Sequence, residues 1–208
     1  MSIKTIMQTG PVIPVVIIDD AADAVPLADA LVEGGIHTIE VTLRSPAALD
    51  CIAAIAQNRP EMIVGAGTVL NPTQLQAAQD VGARFAVSPG AYPELLKAVD
   101  DRVMPLLPGA ATASEMMQLM AHDIHAMKFF PASVAGGPAY LKALASPLAS
   151  AMFCPTGGIT EDTAKDWLSL PNVLCVGGSW VAPTNVIKSQ DFDAITAKAK
   201  ACAGLATS

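Results

Sequence analysis

The sequence predicts an α/β protein, a (β/α)8 barrel built as a single domain over residues 1–208. Three observations carry that expectation. Eight short β-type runs recur along the chain, a stretch of helical periodicity follows the runs, and no linker, charge block or low-complexity tract breaks the series. The length of 208 residues is near the lower end for such a barrel, and a hydrophobic content of 52% against 15% charged residues supplies a sizeable core. An open doubly wound sheet is the rival architecture. It calls for a Gly-x-Gly-x-x-Gly turn after the first strand, where this chain has Ile18-Asp19-Asp20-Ala21-Ala22.

The β-type runs fall at 12–18, 38–43, 62–67, 85–88, 103–107, 126–130, 151–155 and 173–176. Between them, segments 24–32, 47–57, 72–81, 93–99, 113–121 and 138–148 repeat apolar residues at three- and four-residue spacing, which places them on one helix face. Helix starts are marked by Ser45-Pro46, Asn71-Pro72 and Thr160-Glu161-Asp162, and stops by Gly34-Gly35 and Gly82.

Composition excludes several classes of function. A net charge of -7 with no basic cluster argues against a nucleic-acid partner, which needs cations to displace counterions from phosphates. It leaves a small anionic substrate open, because a few local cations or backbone N–H groups suffice to bind one. No signal-peptide pattern opens the chain and no apolar run is long enough for a membrane span, so cytoplasmic residence without membrane association is expected. Cys51, Cys154, Cys175 and Cys202 form no Cys-x-x-Cys pair and read as reduced structural thiols.

The barrel expectation gives charge position a meaning, since active sites in this architecture gather at the carboxyl ends of the strands. Arg59, Arg84 and Arg102, with His37, His122 and His125, precede strands and belong to the opposite, stabilising end. Strand 38–43 alternates: Ile39, Val41 and Leu43 point toward the helices, while Glu40, Thr42 and Arg44 point toward the barrel axis. The same count puts Lys128 and Phe130 inward and Met127 and Phe129 outward. Lys128 stands in the apolar run Ala126-Met127-Lys128-Phe129-Phe130-Pro131-Ala132. Burial there disfavours the ammonium and favours the free amine, the form that attacks a carbonyl carbon. A buried Glu40–Lys128 ion pair serving only the fold is the purely structural explanation, and such a pair is a costly way to fill a core. Thr156-Gly157-Gly158-Ile159 and Gly177-Gly178-Ser179 read as glycine turns after the seventh and eighth strands, where barrels often bind phosphate; tight packing at the barrel mouth would also explain them. Gly65-Ala66-Gly67-Thr68 leaves room for a small ligand and offers a hydroxyl, although a close-packed turn explains it nearly as well.

Taken together, Glu40-Val41-Thr42-Leu43-Arg44, Gly65-Ala66-Gly67-Thr68-Val69, Ser88-Pro89-Gly90, Lys128-Phe129-Phe130-Pro131-Ala132, Cys154-Pro155-Thr156-Gly157-Gly158-Ile159 and Gly177-Gly178-Ser179-Trp180 resemble the class I 2-keto-3-deoxy-6-phosphogluconate aldolases, also described as 4-hydroxy-2-oxoglutarate aldolases. The likeness runs from about residue 10 to the end, and the second-strand motif favours the gluconate over the galactonate branch. The resemblance implies that Lys128 forms the imine and that Glu40 is the general acid/base. It implies that Arg44 and Thr68 hold the pyruvyl carboxylate and neighbouring oxygens, that Pro89 and Phe130 line the pocket, and that Thr156, Gly157, Gly158, Gly178 and Ser179 face the phosphorylated end. It further implies a keto-acid phosphate substrate, no cofactor or metal beyond the covalent imine, a place in the Entner-Doudoroff pathway and a homotrimer. Ser133-Val134-Ala135 departs from the commoner acidic version of the loop, whose role stays open.

A metal-dependent aldolase would want histidine and carboxylate ligands at strand ends, where the three histidines do not fall. A phosphosugar isomerase or epimerase, or a phosphate-ligand binding barrel without catalysis, would share the glycine turns but not need Lys128. Fold alone separates none of these.

Overall fold

The structure is a computed structural model that describes residues 1–100 and 103–205; Arg102, expected at the stabilising end, lies outside the described residues. Helix Ile3–Met7 (α1) leads into strand Val12–Val16 (β1), and a 3-10 turn at Ala21–Asp23 opens helix Ala24–Glu33 (α2). Strand Thr38–Thr42 (β2), helix Ala48–Asn58 (α3), strand Ile63–Gly67 (β3), helix Pro72–Asp80 (α4), strand Phe85–Val87 (β4) and helix Pro93–Lys97 (α5) continue the alternation. Leu106–Leu107 (β5) and Gly109–Ala110 (β6) precede helix Ala113–Met120 (α6), strand Ala126–Phe129 (β7), helix Gly137–Leu144 (α7) and strand Met152–Pro155 (β8). Helix Ala164–Leu168 (α8), strand Val176–Gly178 (β9) and helices Thr184–Lys188 (α9) and Phe192–Ala203 (α10) complete the chain.

All the strand pairings are parallel. They form a curled six-stranded sheet in the order β5-β4-β3-β2-β1-β9 and a three-stranded sheet in the order β6-β7-β8. The fifth expected strand is thus two short pieces. Pro108 lies between them and has no N–H for a ladder, so Leu106–Leu107 pair with β4 while Gly109–Ala110 pair with β7. Pro108 still accepts from Lys128 N–H at 2.8 Å, and single bridges Phe153–Val173 and Thr156–Gly177 link β8 to the segment of β9.

Local chemistry explains the boundaries. The Asn71 side chain accepts from Gln74 N–H and Pro72 occupies the first helical position of α4, as the sequence predicts. Gly34 caps α2 and Gly82 takes a φ of 94° just past α4. Ser45-Pro46 and Thr160-Glu161-Asp162 mark starts too early, since α3 begins at Ala48 and α8 at Ala164. Ser45 instead donates its hydroxyl to the Ile18 carbonyl at 2.5 Å, and Thr160 accepts from Thr163 and Ala164 in the turn leading into α8.

The core divides in two. Ile39, Val41, Met127, Phe129 and Phe153 face outward and pack against the helices, with Trp167 tilted against the Phe129 ring. Ile13, Ile63, Phe85, Val87, Leu107 and Ala126 face inward, joined by Ile6 and Met7 of α1. Several of these residues stand at the first positions of their strands, so α1 closes the amino-terminal end of the sheet like a plug. This helix is too short to show periodicity in the sequence. Its local sign is Ser2, whose hydroxyl accepts from Thr5 N–H at 3.2 Å. The four cysteines are all free and buried, and burial pushes the Cys51 thiol up to about 11.

If α1 is a plug rather than a loose arm, Ile6→Ala should cost about 2–5 kcal/mol in denaturant unfolding, the usual range for emptying a fully buried site. A change near zero would show that α1 adds nothing to the core.

Candidate active site

Alternation along β2 delivers Glu40 and Thr42 to the inner face with Arg44 just beyond the strand end, while alternation along β7 delivers Lys128. The ε-amino nitrogen of Lys128 lies 3.4 Å from Glu40 Oε1, and the two residues are only 6% and 3% exposed. They are 88 residues apart in sequence and come from strands that do not pair with each other. The sheet therefore sets their meeting. A Cβ on Gly67 would collide with the Glu40 carboxyl group, so the glycine of β3 makes the space that the carboxylate fills. The Phe130 ring stands beside the amine, 5.2 Å from Nζ to its centroid, within cation–π range.

Above this pair lies a cavity of about 300 Å³ lined by Glu40, Thr42, Arg44, Thr68, Pro89, Lys128, Phe130, Thr156, Gly157, Gly158 and Ser179, together with Val15, Ile159 and Gly177. Every residue to which the resemblance gives a site role reaches this lining except Gly178. Gly178 and Gly177 belong to β9 itself and not to a turn after it, which corrects the expected end of the eighth strand at residue 176. Two glycines hid the strand from propensity, because they carry no side chain to mark it. A Cβ on Gly177 would strike the Thr156 side chain, and one on Gly178 the Trp180 ring. Gly177 borders the cavity and Gly178 packs against the indole. Val15, facing inward at the register position of Glu40, was legible in the alternation of the first strand yet went unassigned.

The Thr156 turn has the predicted glycine chemistry. Gly157 and Gly158 adopt φ of 102° and 73°, values that side-chain-bearing residues rarely take. The N–H groups of Gly158 and Ile159 make no hydrogen bond among the described residues and are free to donate to a ligand. This turn is tied to the lysine strand: Ala132 N–H donates to Thr156 O at 2.8 Å and Ser133 N–H to Gly157 O at 3.1 Å. The Ser133 side chain fills the space where a Cβ on Gly158 would stand, so this loop supports the turn. Thr68 holds a positive φ of 59° immediately after β3 and lines the cavity.

Charge is uneven around this lining. Arg44 forms no salt bridge among the described residues, and its Nε donates to Thr42 Oγ1 at 3.1 Å. The cavity thus keeps an uncompensated guanidinium at its rim and one carboxylate at its floor. Cys175, in the inner core and not in the cavity lining, is pushed well above the ordinary thiol range, first by the neighbouring Cys154 and then by burial. None of the histidines lines the cavity; His122 and His125 border a cleft near α1 instead. Larger clefts of about 420 and 490 Å³ exist, but neither contains Lys128, Glu40 or Arg44. A buried amine, a carboxylate within proton-transfer distance, a free cation and open N–H donors suit covalent chemistry on a small carbonyl anion.

Comparison with known proteins points the same way. Residues 3–198 match the family model described as KDPG and KHG aldolase. The KHG/KDPG aldolase of Escherichia coli K12 is 48% identical over 199 residues, covering 96% of this chain and 93% of that one. Among solved structures, the KDPG aldolase from Legionella pneumophila, with pyruvate captured at low pH as a covalent carbinolamine intermediate, is 43% identical with a TM-score of 0.94, covering 97% of this chain and 98% of that one. The 2-keto-3-deoxy-6-phosphogluconate aldolase of Zymomonas mobilis with 3-phosphoglycerate is 44% identical with a TM-score of 0.93, covering 98% and 96%.

Gly67→Ala tests whether the Glu40 position is as crowded as it looks. Overpacking should cost about 1–3 kcal/mol in chemical unfolding, and a crystal structure of the variant should show the carboxylate moved away from Lys128. A variant with native stability and an unmoved Glu40 would contradict the crowding.

Proposed function

Because the chain belongs to the KDPG and KHG aldolase family, we propose that it is a Schiff-base aldolase, reversibly cleaving 2-keto-3-deoxy-6-phosphogluconate to pyruvate and D-glyceraldehyde 3-phosphate. It also cleaves 4-hydroxy-2-oxoglutarate to pyruvate and glyoxylate. The observation that carries the reading is the buried Lys128 amine beside Glu40 at the floor of a cavity rimmed by Arg44.

As a free amine, Lys128 attacks the C2 ketone to give a carbinolamine, which loses water to become a protonated imine. The positive nitrogen then draws the electron pair of the C3–C4 bond as that bond breaks. Glu40 takes the proton of the C4 hydroxyl, the aldehyde departs, and the remaining enamine is protonated at C3 with Glu40 as the acid. Water adds to the new imine, pyruvate leaves and the amine is restored. The pair at 3.4 Å lets one carboxylate serve both proton transfers without a large movement. Arg44 holds the substrate carboxylate through paired N–H donors, Thr68 binds a neighbouring oxygen, and Pro89 and Phe130 wall the reacting carbons. Thr156, Gly157, Gly158 and Ser179 receive the phosphate, where Gly158 N–H adds a donor. Gly178 acts by packing behind that subsite. No step calls on a metal or bound cofactor.

The same reading takes the two sheets as one closed (β/α)8 barrel in a single domain, supported by the continuous path through Pro108 and the Thr156–Gly177 bridge. It extends to a homotrimer, as the family resemblance implies, and to residence in the cytoplasm, where four free buried cysteines suit a reducing compartment.

Borohydride added in the presence of pyruvate should leave a reduced pyruvate adduct on the peptide carrying Lys128, located by peptide mass mapping. Lys128→Ala should lose both adduct and turnover. Glu40→Gln should lose about 10²- to 10⁴-fold in turnover, the usual worth of general acid/base help, yet still form the adduct. Turnover with no adduct would instead favour an isomerase or epimerase.

A further inference from the structure

We propose that Thr42 is the positioning residue for Arg44, aiming its guanidinium into the cavity while leaving its charge unspent. The inference rests on the aldolase reading of Arg44 as the carboxylate-binding group and assigns a role to the residue between Glu40 and Arg44 on the inward face of β2.

Thr42 is 1% exposed yet lines the cavity, and its hydroxyl is engaged on both sides. Its Oγ1 donates to the Val16 carbonyl at 2.9 Å and accepts from Arg44 Nε at 3.1 Å. The hydroxyl has one proton, and with that proton committed to β1 its lone pairs are left for Arg44. The direction of the acceptor is therefore fixed by the sheet and not by a free rotor. Arg44 makes no other hydrogen bond and no salt bridge among the described residues, so both Nη groups remain available to a ligand. A guanidinium pinned through Nε presents its Nη edge in one plane, the geometry that two-pronged carboxylate recognition requires.

The choice of a hydroxyl has an electrostatic consequence. An aspartate at this position would hold Nε more strongly but would cancel the charge that attracts the substrate anion. A valine of similar size would leave Nε without its protein partner and the arginine free to swing. Threonine orients without neutralising.

The test uses the full-length protein and measures borohydride trapping of pyruvate as a function of pyruvate concentration. Thr42→Val should raise the half-saturating concentration about tenfold or more, the scale of one hydrogen bond to a charged group, and leave the trapping rate at saturation unchanged. Thr42→Ser should restore most of the lost affinity. In an Arg44→Lys background, where no Nε–H exists, Thr42→Val should add no further loss. Should Thr42→Val fail to fold, Thr42→Ala removes the hydroxyl without adding volume and carries the same comparison. An unchanged half-saturation in Thr42→Val overturns the role of Thr42. So does a Thr42→Ser variant as impaired as Thr42→Val, or a full Thr42→Val effect on top of Arg44→Lys. A wild-type protein that traps no pyruvate overturns the aldolase reading and this inference with it, whereas normal wild-type trapping beside an unaffected Thr42→Val overturns only the latter.

Discussion

The approach of Lys128 Nζ to Glu40 Oε1 at 3.4 Å, inside a wall of otherwise apolar strands, is the constraint around which the rest of the structure is arranged. Two ionisable groups out of water cost more than most apolar fillings of the same space, and their mutual attraction repays that only with good geometry. The geometry comes from strands that do not touch each other. β2 is held by β1 and β3, and β7 by β6 and β8, so neither residue's backbone can shift without disturbing a ladder. Gly67 then removes the one Cβ that would occupy the place of the carboxylate.

Carrying such a pair requires stability from elsewhere, and the inner face divides the work along its length. Its amino-terminal half is mostly apolar, with Thr38 bonded to Thr9, and is stoppered by Ile6 and Met7, whereas its carboxyl-terminal half holds Glu40, Lys128 and Thr42. The outer face is apolar throughout and covered by helices. The two ends of the cavity are also mechanically joined. The bonds from Ala132 and Ser133 to the Thr156–Gly157 turn fix the distance between the amine and the glycines of that turn, so a ligand spanning both would meet a preformed site.

Much of this was legible in the sequence because period-two alternation is a geometric rule and not a propensity. It put Glu40, Thr42 and Arg44 on one face and Lys128 opposite apolar neighbours, and the structure brings these residues around one cavity. What escaped had physical reasons. Helix α1 has five residues, fewer than two turns, and its apolar side chains become meaningful only against the strands they plug. The fifth strand divided because Pro108 cannot donate, and the eighth was set too early because Gly177 and Gly178 belong to a strand through what packs on them. The Thr42 contacts were out of reach for a related reason: alternation gives the face a hydroxyl takes but not the carbonyl it finds on the neighbouring strand.

Those contacts bear on how a protein of net charge -7 can concentrate an anion. Average charge matters little within a cleft, because the local field is set by the nearest uncompensated groups. Arg59 faces Asp29, Lys188 faces Asp19 and Lys200 faces Glu33, while Arg44 faces a hydroxyl. Arg44 differs from these in lining the cavity with its charge unpaired among the described residues. On the proposed aldolase reading the sign reverses at the floor: Glu40 would repel the carboxylate of a keto acid and direct it toward the rim and Arg44. On that reading Glu40 beneath and Arg44 at the rim would orient the ligand as well as bind it, with the carbonyl carbon left toward Lys128.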